Sequence, residues 1–210
     1  MRNGIMAVDD DLLATSRVPA LVTTRSGVRP IELVALALAG VTAALLTNLL
    51  RLNLGIPGSS IVFATFPIAL GLALVPRRGA GAVMAGAAAL TTMGLGFAGA
   101  PLDGPGALTS LILTGPLLDL ALRFARGGGW RLYAAFVVAG ALSNAIAFAV
   151  RGSAKAFGIA GMGGGRPFAA WWPTAIVTYT IAGVLAGLIS ALAWFHYRER
   201  GRTAGSGMES

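Results

Sequence analysis

Six apolar runs alternate along the chain with short polar or glycine-rich segments: residues 31–50, 61–75, 79–98, 106–122, 132–150 and 173–195. Twenty helical residues at 1.5 Å each cover about 30 Å, the hydrocarbon thickness of a bilayer. The pattern therefore predicts an all-α integral membrane protein of six transmembrane helices. The second run, at fifteen residues, is short; it must thin the bilayer locally or extend into Ser59 and Ser60. The breaks carry their own signals. Pro30 suits a first helical turn, where its missing N–H costs nothing, and Glu32 suits the positive end of that helix. Gly55, Pro57 and Gly58 mark a turn, and Pro76, Arg77 and Arg78 close the second run.

Small residues pattern the first run. Ala35, Ala39 and Ala43 form one row and Gly40 and Ala44 the next. Lipid solvates leucine as well as another helix does, so such a ladder serves close approach of a second helix, either a sister in this chain or a docking partner outside it. Gly81, Ala85, Gly86 and Ala87 give the third run a similar face.

Composition agrees with the pattern. Only 11% of the 210 residues are charged and the mean hydropathy is +0.77. A soluble domain carries about 25% charged residues, so most of this surface faces something other than water. The chain reads as one membrane domain over 30–196, with cytosolic tails over 1–29 and 197–210; the first tail has no apolar run long enough for a signal-peptide core. The formal charge of +8 resides mainly in arginines scattered in ones, twos and threes between apolar runs. That is the distribution of topogenic charge, and it argues against nucleic acid as a partner. Of the 16 Lys and Arg, twelve lie in the tails and in the segments after runs two and four, which predicts both termini inside a multi-pass protein of the cell membrane.

Catalytic chemistry finds no support. There is no cysteine, so no thiolate or cysteine metal site, and the single histidine, His196, stands alone at the end of the last run. No metal site and no paired carboxylates within the membrane are legible, and an enzyme is not expected. The glycine-rich stretch 161–166 lacks the ending of a phosphate-binding loop and reads as a gate or linker. Asp119 is the one acid well inside a run. It precedes Arg123 by one turn, which suits an i, i+4 ion pair.

The outer halves of the runs hold the candidate chemistry. Thr47, Asn48, Arg51 and Asn53 end the first; Ser59, Ser60, Phe63 and Phe66 open the second; Thr91 and Thr92 come late in the third. Asn144 and Arg151 close the fifth, and Trp171, Trp172 and Tyr179 open the sixth. Hydrogen-bonding groups and aromatic faces at one depth are the composition of a small-molecule site. The candidate substrate-binding residues are Asn48, Arg51, Asn53, Ser60, Phe66, Thr92, Asn144, Arg151, Trp172 and Tyr179. Arg51, Arg151, Lys155 and Arg166 suit an anionic group, although loop arginines also serve topology. The tryptophans equally suit the interfacial aromatic belt, and the asparagines equally suit bonds between helices.

With these features in place, the chain over 30–196 resembles the substrate-binding S-components of energy-coupling factor vitamin transporters. The resemblance rests on six runs with both termini inside, the Ala35-x-x-x-Ala39 ladder, the Pro76-Arg-Arg-Gly79 turn and the sequence Thr114-Gly-Pro-Leu-Leu-Asp119. It implies capture of a vitamin-like molecule at the outer face, beneath the segments 51–60, 99–105 and 151–172. It also implies docking of Ala35, Ala39 and Ala43 on a separate coupling membrane subunit driven by two ATPase subunits. ATP is then used by those partners, and no cofactor is bound directly. The metal-uptake relatives carry an N-terminal histidine motif that this chain lacks, which argues against cobalt or nickel. The alternatives are a non-transporting scaffold whose glycine-rich faces pack with another membrane complex, or a stand-alone small-molecule transporter.

Overall fold

A computed structural model describes residues 29–49, 58–100, 104–125, 129–158 and 167–196. The elements it describes are all helices: α1 Pro30–Leu49, α2 Ser60–Leu74, α3 Ala80–Phe97, α4 Pro105–Phe124, α5 Trp130–Ala156 and α6 Phe168–Ala191, which runs on into a π-helical turn, Leu192–His196. The tails 1–28 and 197–210, together with Arg51, Asn53 and the 161–166 stretch, lie outside the described residues. Five of the helices are long and apolar enough to cross a membrane. The exception is α2, whose 15 residues span about 22 Å.

Position explains how a helix that short is held. The long helices form an arc in which α1 packs on α3, α3 on α4, α4 on α5 and α5 on α6, and α2 touches every one of them. Nine of its 15 residues are buried, among them Ile61, Ile68 and Leu72. The outer faces are aliphatic: Ile31, Val34 and Leu38 on α1 and Val177, Ile181 and Leu185 on α6 stand exposed, as a lipid-facing surface requires.

Small residues are used within the chain. A Cβ on Gly81 of α3 would fall on the backbone of Gly115 of α4, and one on Gly115 would fall on Gly81. Gly140 of α5 and Gly183 of α6 approach in the same way. Such contacts trade side-chain burial for dispersion between backbones, the packing that lipid surroundings favour. The alanine ladder of α1 also turns inward. Ala43 is fully buried, Ala35 and Ala39 are half-buried against the core, and Ala39 meets α2 at Gly71.

Two carboxylates fasten the proximal end, where α1 begins. Glu32 pairs with Arg77 at 2.9 Å, joining α1 to the turn between α2 and α3. Asp119 Oδ2 accepts the Gly79 N–H at 2.8 Å and an Arg123 Nη2 bond at 3.2 Å. The i, i+4 pair expected from the sequence is therefore present. The Gly79 bond adds a tertiary tie, since Asp119 of α4 caps the residue that precedes α3.

Helix limits follow the apolar runs closely for α1 to α4 and depart from them in α5 and α6. The fifth helix continues six residues past Val150, and the sixth begins five residues before Pro173. Arg151, Lys155, Trp171 and Trp172, expected in a connection, are thus helical. Apolar composition ends with the hydrocarbon layer, whereas backbone hydrogen bonding does not have to.

Candidate functional site at the distal end

The sequence candidates within the described residues fall mainly at the distal end, where α1 ends, and form two groups. The first joins α1 to α3. Asn48 Nδ2 donates to Ala44 O at 2.8 Å and contacts Thr92 Oγ1 at 3.4 Å. Both side chains are buried, and Thr47 beside them bonds back to Ala43 O at 2.7 Å.

The second group centres on Asn144, which is 1% exposed. Its Nδ2 donates to Tyr179 O on α6 at 2.6 Å and to Gly58 O, just before α2, at 3.3 Å. Gly58 has φ +84°, and the Tyr179 ring occupies the space a side chain there would need, so glycine is required on both counts. One asparagine amide thus ties α5, α6 and the start of α2. It also sets their relative depth, because about a dozen residues of α5 and of α6 extend past the start of α2.

Those extensions carry an aromatic cluster. Phe148 stacks on Trp171 with ring centroids 5.5 Å apart and meets Tyr179 edge-on at 5.6 Å. Trp171 and Tyr179 are T-shaped at 6.4 Å, and Phe168 adds a tilted contact with Trp171 at 6.3 Å. Over the Trp171 ring lie two cations, Arg151 at 6.0 Å and Lys155 at 5.6 Å. A guanidinium or ammonium over an indole gains from the ring quadrupole.

Two amide oxygens in these groups lack donors. Asn48 Oδ1 and Asn144 Oδ1 are buried without a hydrogen-bond partner among the described residues. Their orientation is fixed by the neighbours: Ala44 O faces Asn48, and Tyr179 O and Gly58 O face Asn144, so each Nδ2 must point at carbonyls and each Oδ1 elsewhere. An unmet buried acceptor costs about 1–3 kcal/mol. Both sites can therefore gain from a donor.

The structure separates some sequence candidates from these groups. Trp172 is 45% exposed, whereas Trp171, 5% exposed, joins the cluster. Phe66 lies mid-way along α2, where its ring meets Trp194 at 4.8 Å and its carbonyl accepts the Trp194 Nε1 bond at 3.0 Å. That pairs it with the proximal end of α6. Ser60 is half-buried at the first residue of α2. Phe148 was not anticipated, although its spacing of four from Asn144 and three from Arg151 sets all three on one helix face.

No family model, curated protein or solved structure matches the chain. Among the described residues nine buried Asn, Ser and Thr fall within the helices, with Thr114 and Ser143 hydroxyls paired at 3.0 Å between α4 and α5. At the distal end, however, amide oxygens without donors and cations over an indole occur together. Among the described residues both carboxylates, Glu32 and Asp119, are at the other end. A distal end so composed can accept hydrogen bonds from a ligand, stack against a flat group and attract negative charge.

Proposed function

We propose that the protein is the substrate-binding membrane subunit of an ATP-driven importer of the energy-coupling factor type, capturing a small vitamin-like molecule at its distal end. In this reading the distal end faces the outside of the cell membrane, both termini are cytosolic, and α2 is the sixth span. A coupling membrane subunit docks beside α1, with two ATPase subunits behind it, and ATP is consumed there. Docking uses the half-buried edge of α1 at Ala35, Ala43 being enclosed and Ala39 packed at Gly71 of α2.

The observation that carries the reading is the pair of buried asparagine oxygens without donors among the described residues, at the end that also carries Arg151, Lys155 and the Trp171 cluster. A purely structural asparagine in a helix bundle normally satisfies both halves of its amide, because each unmet half weakens the fold. A scaffold reading draws less support, since the close glycine contacts at Gly81–Gly115 and Gly140–Gly183 are spent inside the chain.

The test is equilibrium binding to the purified full chain in detergent or nanodiscs, using a panel of vitamins. Micromolar or tighter affinity for one member is expected. Absence of binding across the panel at micromolar concentrations overturns the reading.

A further inference from the structure

One face of α5 grades from neutral to charged. Asn144, Phe148, Arg151 and Lys155 follow at intervals of four, three and four, which returns each to nearly the same side of the helix. Contacts agree with the spacing: Asn144 bonds to Tyr179 O of α6, Phe148 stacks on Trp171, and both cations lie over that ring. Asn144 is sealed, and Phe148, Arg151 and Lys155 are half-buried. From Asn144 to Arg151 the rise is about 10 Å.

The two polar ends of this stripe ask for opposite things. At the deep end only the acceptor Oδ1 is unmet, because Nδ2 is spent on two carbonyls. A ligand group gains there by donating an N–H or O–H; an acceptor presented to Oδ1 is repelled. At the outer end Arg151 makes no hydrogen bond or ion pair among the described residues beyond its position over Trp171. Its guanidinium matches a carboxylate or phosphate, with two parallel donors.

We infer that the ligand is an anion of mixed character: a neutral ring or amide head bearing hydrogen-bond donors, received by Asn144, and a carboxylate or phosphate about 10 Å away, received by Arg151. This rests on the proposed binding function and narrows its substrate class. The head reaches Asn144 once the closed Oδ1 is uncovered.

The test uses ligand chemistry and one substitution together. Biotin and pantothenate carry N–H donors and a carboxylate; their methyl esters keep the donors and lose the charge; thiamine is a cation and riboflavin is neutral. Binding of all six to the full chain and to Arg151→Gln is measured by titration calorimetry, with size exclusion and helical content as checks on folding. The expected result is that at least one acid binds ten-fold or more tightly than its ester. Arg151→Gln should then remove most of that difference, lowering affinity for the acid far more than for the ester. Equal affinity for acid and ester, or tight binding of thiamine or riboflavin with no effect of Arg151→Gln, overturns the anion assignment and leaves the capture function standing. No binding by any of the six, in a folded protein, overturns both. Should Arg151→Gln fail to fold, the acid-to-ester ratio on the unaltered chain still decides the assignment.

Discussion

The two ends of the bundle handle charge and polarity in contrasting ways. At the proximal end each carboxylate meets a cation of its own chain, and Asp119 also takes the Gly79 N–H. At the distal end cations lie over an indole, and two asparagines hold helices together with one half of the amide while the other half has no donor among the described residues. Asp119 too has an oxygen, Oδ1, without a partner, but its charge is already shared through Oδ2 with Arg123 and Gly79. The contrast teaches that buried polarity alone does not mark a site. What marks it is polarity left over after the fold has been satisfied.

The largest expected effect tests whether the α1 ladder belongs to the fold or to a docking face. Ala39→Trp puts a ring against Gly71 of α2, where the present contact is already close. Overpacking of this kind costs about 1–3 kcal/mol or more. Thermal stability in detergent should fall sharply, and binding should fall with it. A variant that keeps its melting temperature and binding yet loses co-purifying coupling subunits would return the whole ladder to an outer face.

Next comes the direct contrast between Asp119→Ala and Asn144→Ala. The first removes a cap and an ion pair and should cost about 1.5–3 kcal/mol of stability with ligand affinity unchanged. The second loses two hydrogen bonds to carbonyls at about 0.5–1.5 kcal/mol each, partly offset because the unmet oxygen goes too. Its main effect should be on affinity, about ten-fold weaker. Melting curves and calorimetric titrations on both variants check the pattern, and an Asn144→Ala protein that loses stability while keeping affinity would erase the difference between the two ends.

The smallest effect belongs to Arg77→Ala. The Glu32–Arg77 pair is only partly buried, so about 0.2–1 kcal/mol is expected, weakening further as salt is raised. A stability change well beyond that range, measured at low and high ionic strength, would give the proximal pair a larger part in holding the α2–α3 turn than its exposure suggests.

Much of the fold was legible because apolar length and helix length are set by the same thickness; the limits of α1 to α4 fall within two residues of the runs. The i, i+4 spacing of Asp119 and Arg123 is local and was readable in the same way. What was not readable depends on neighbours. Periodicity shows that Ala35, Ala39 and Ala43 share a face but not what covers it. Trp171 and Trp172 differ by about 100° around one helix, and nothing in their shared chemistry says which turns inward. Phe66 was placed near the opening of α2 by its distance from Ser60, yet six residues of helix carry it to Trp194 and away from the asparagines. Arg151 and Lys155 entered the aromatic cluster only because α5 continues past its apolar run. The Gly79 bond to Asp119 joins residues forty apart, which no pattern along the chain discloses.

The glycine contacts bring helix backbones together in succession along the bundle. Gly40 lies against the Met84 backbone, Gly81 against Gly115, and Gly140 against Gly183, so backbones touch between α1 and α3, between α3 and α4 and between α5 and α6. The seam between α4 and α5 has such a contact too, Gly106 of α4 against the Ala147 carbonyl of α5, and hydroxyls besides. Thr114 and Ser143 meet across it through hydroxyls, and each also has a carbonyl within reach, Ser110 O. The Thr114 and Ser143 hydroxyls therefore share one carbonyl midway along a seam that the Gly106 backbone contact closes nearer the distal end, with α2 lying along both sides of it.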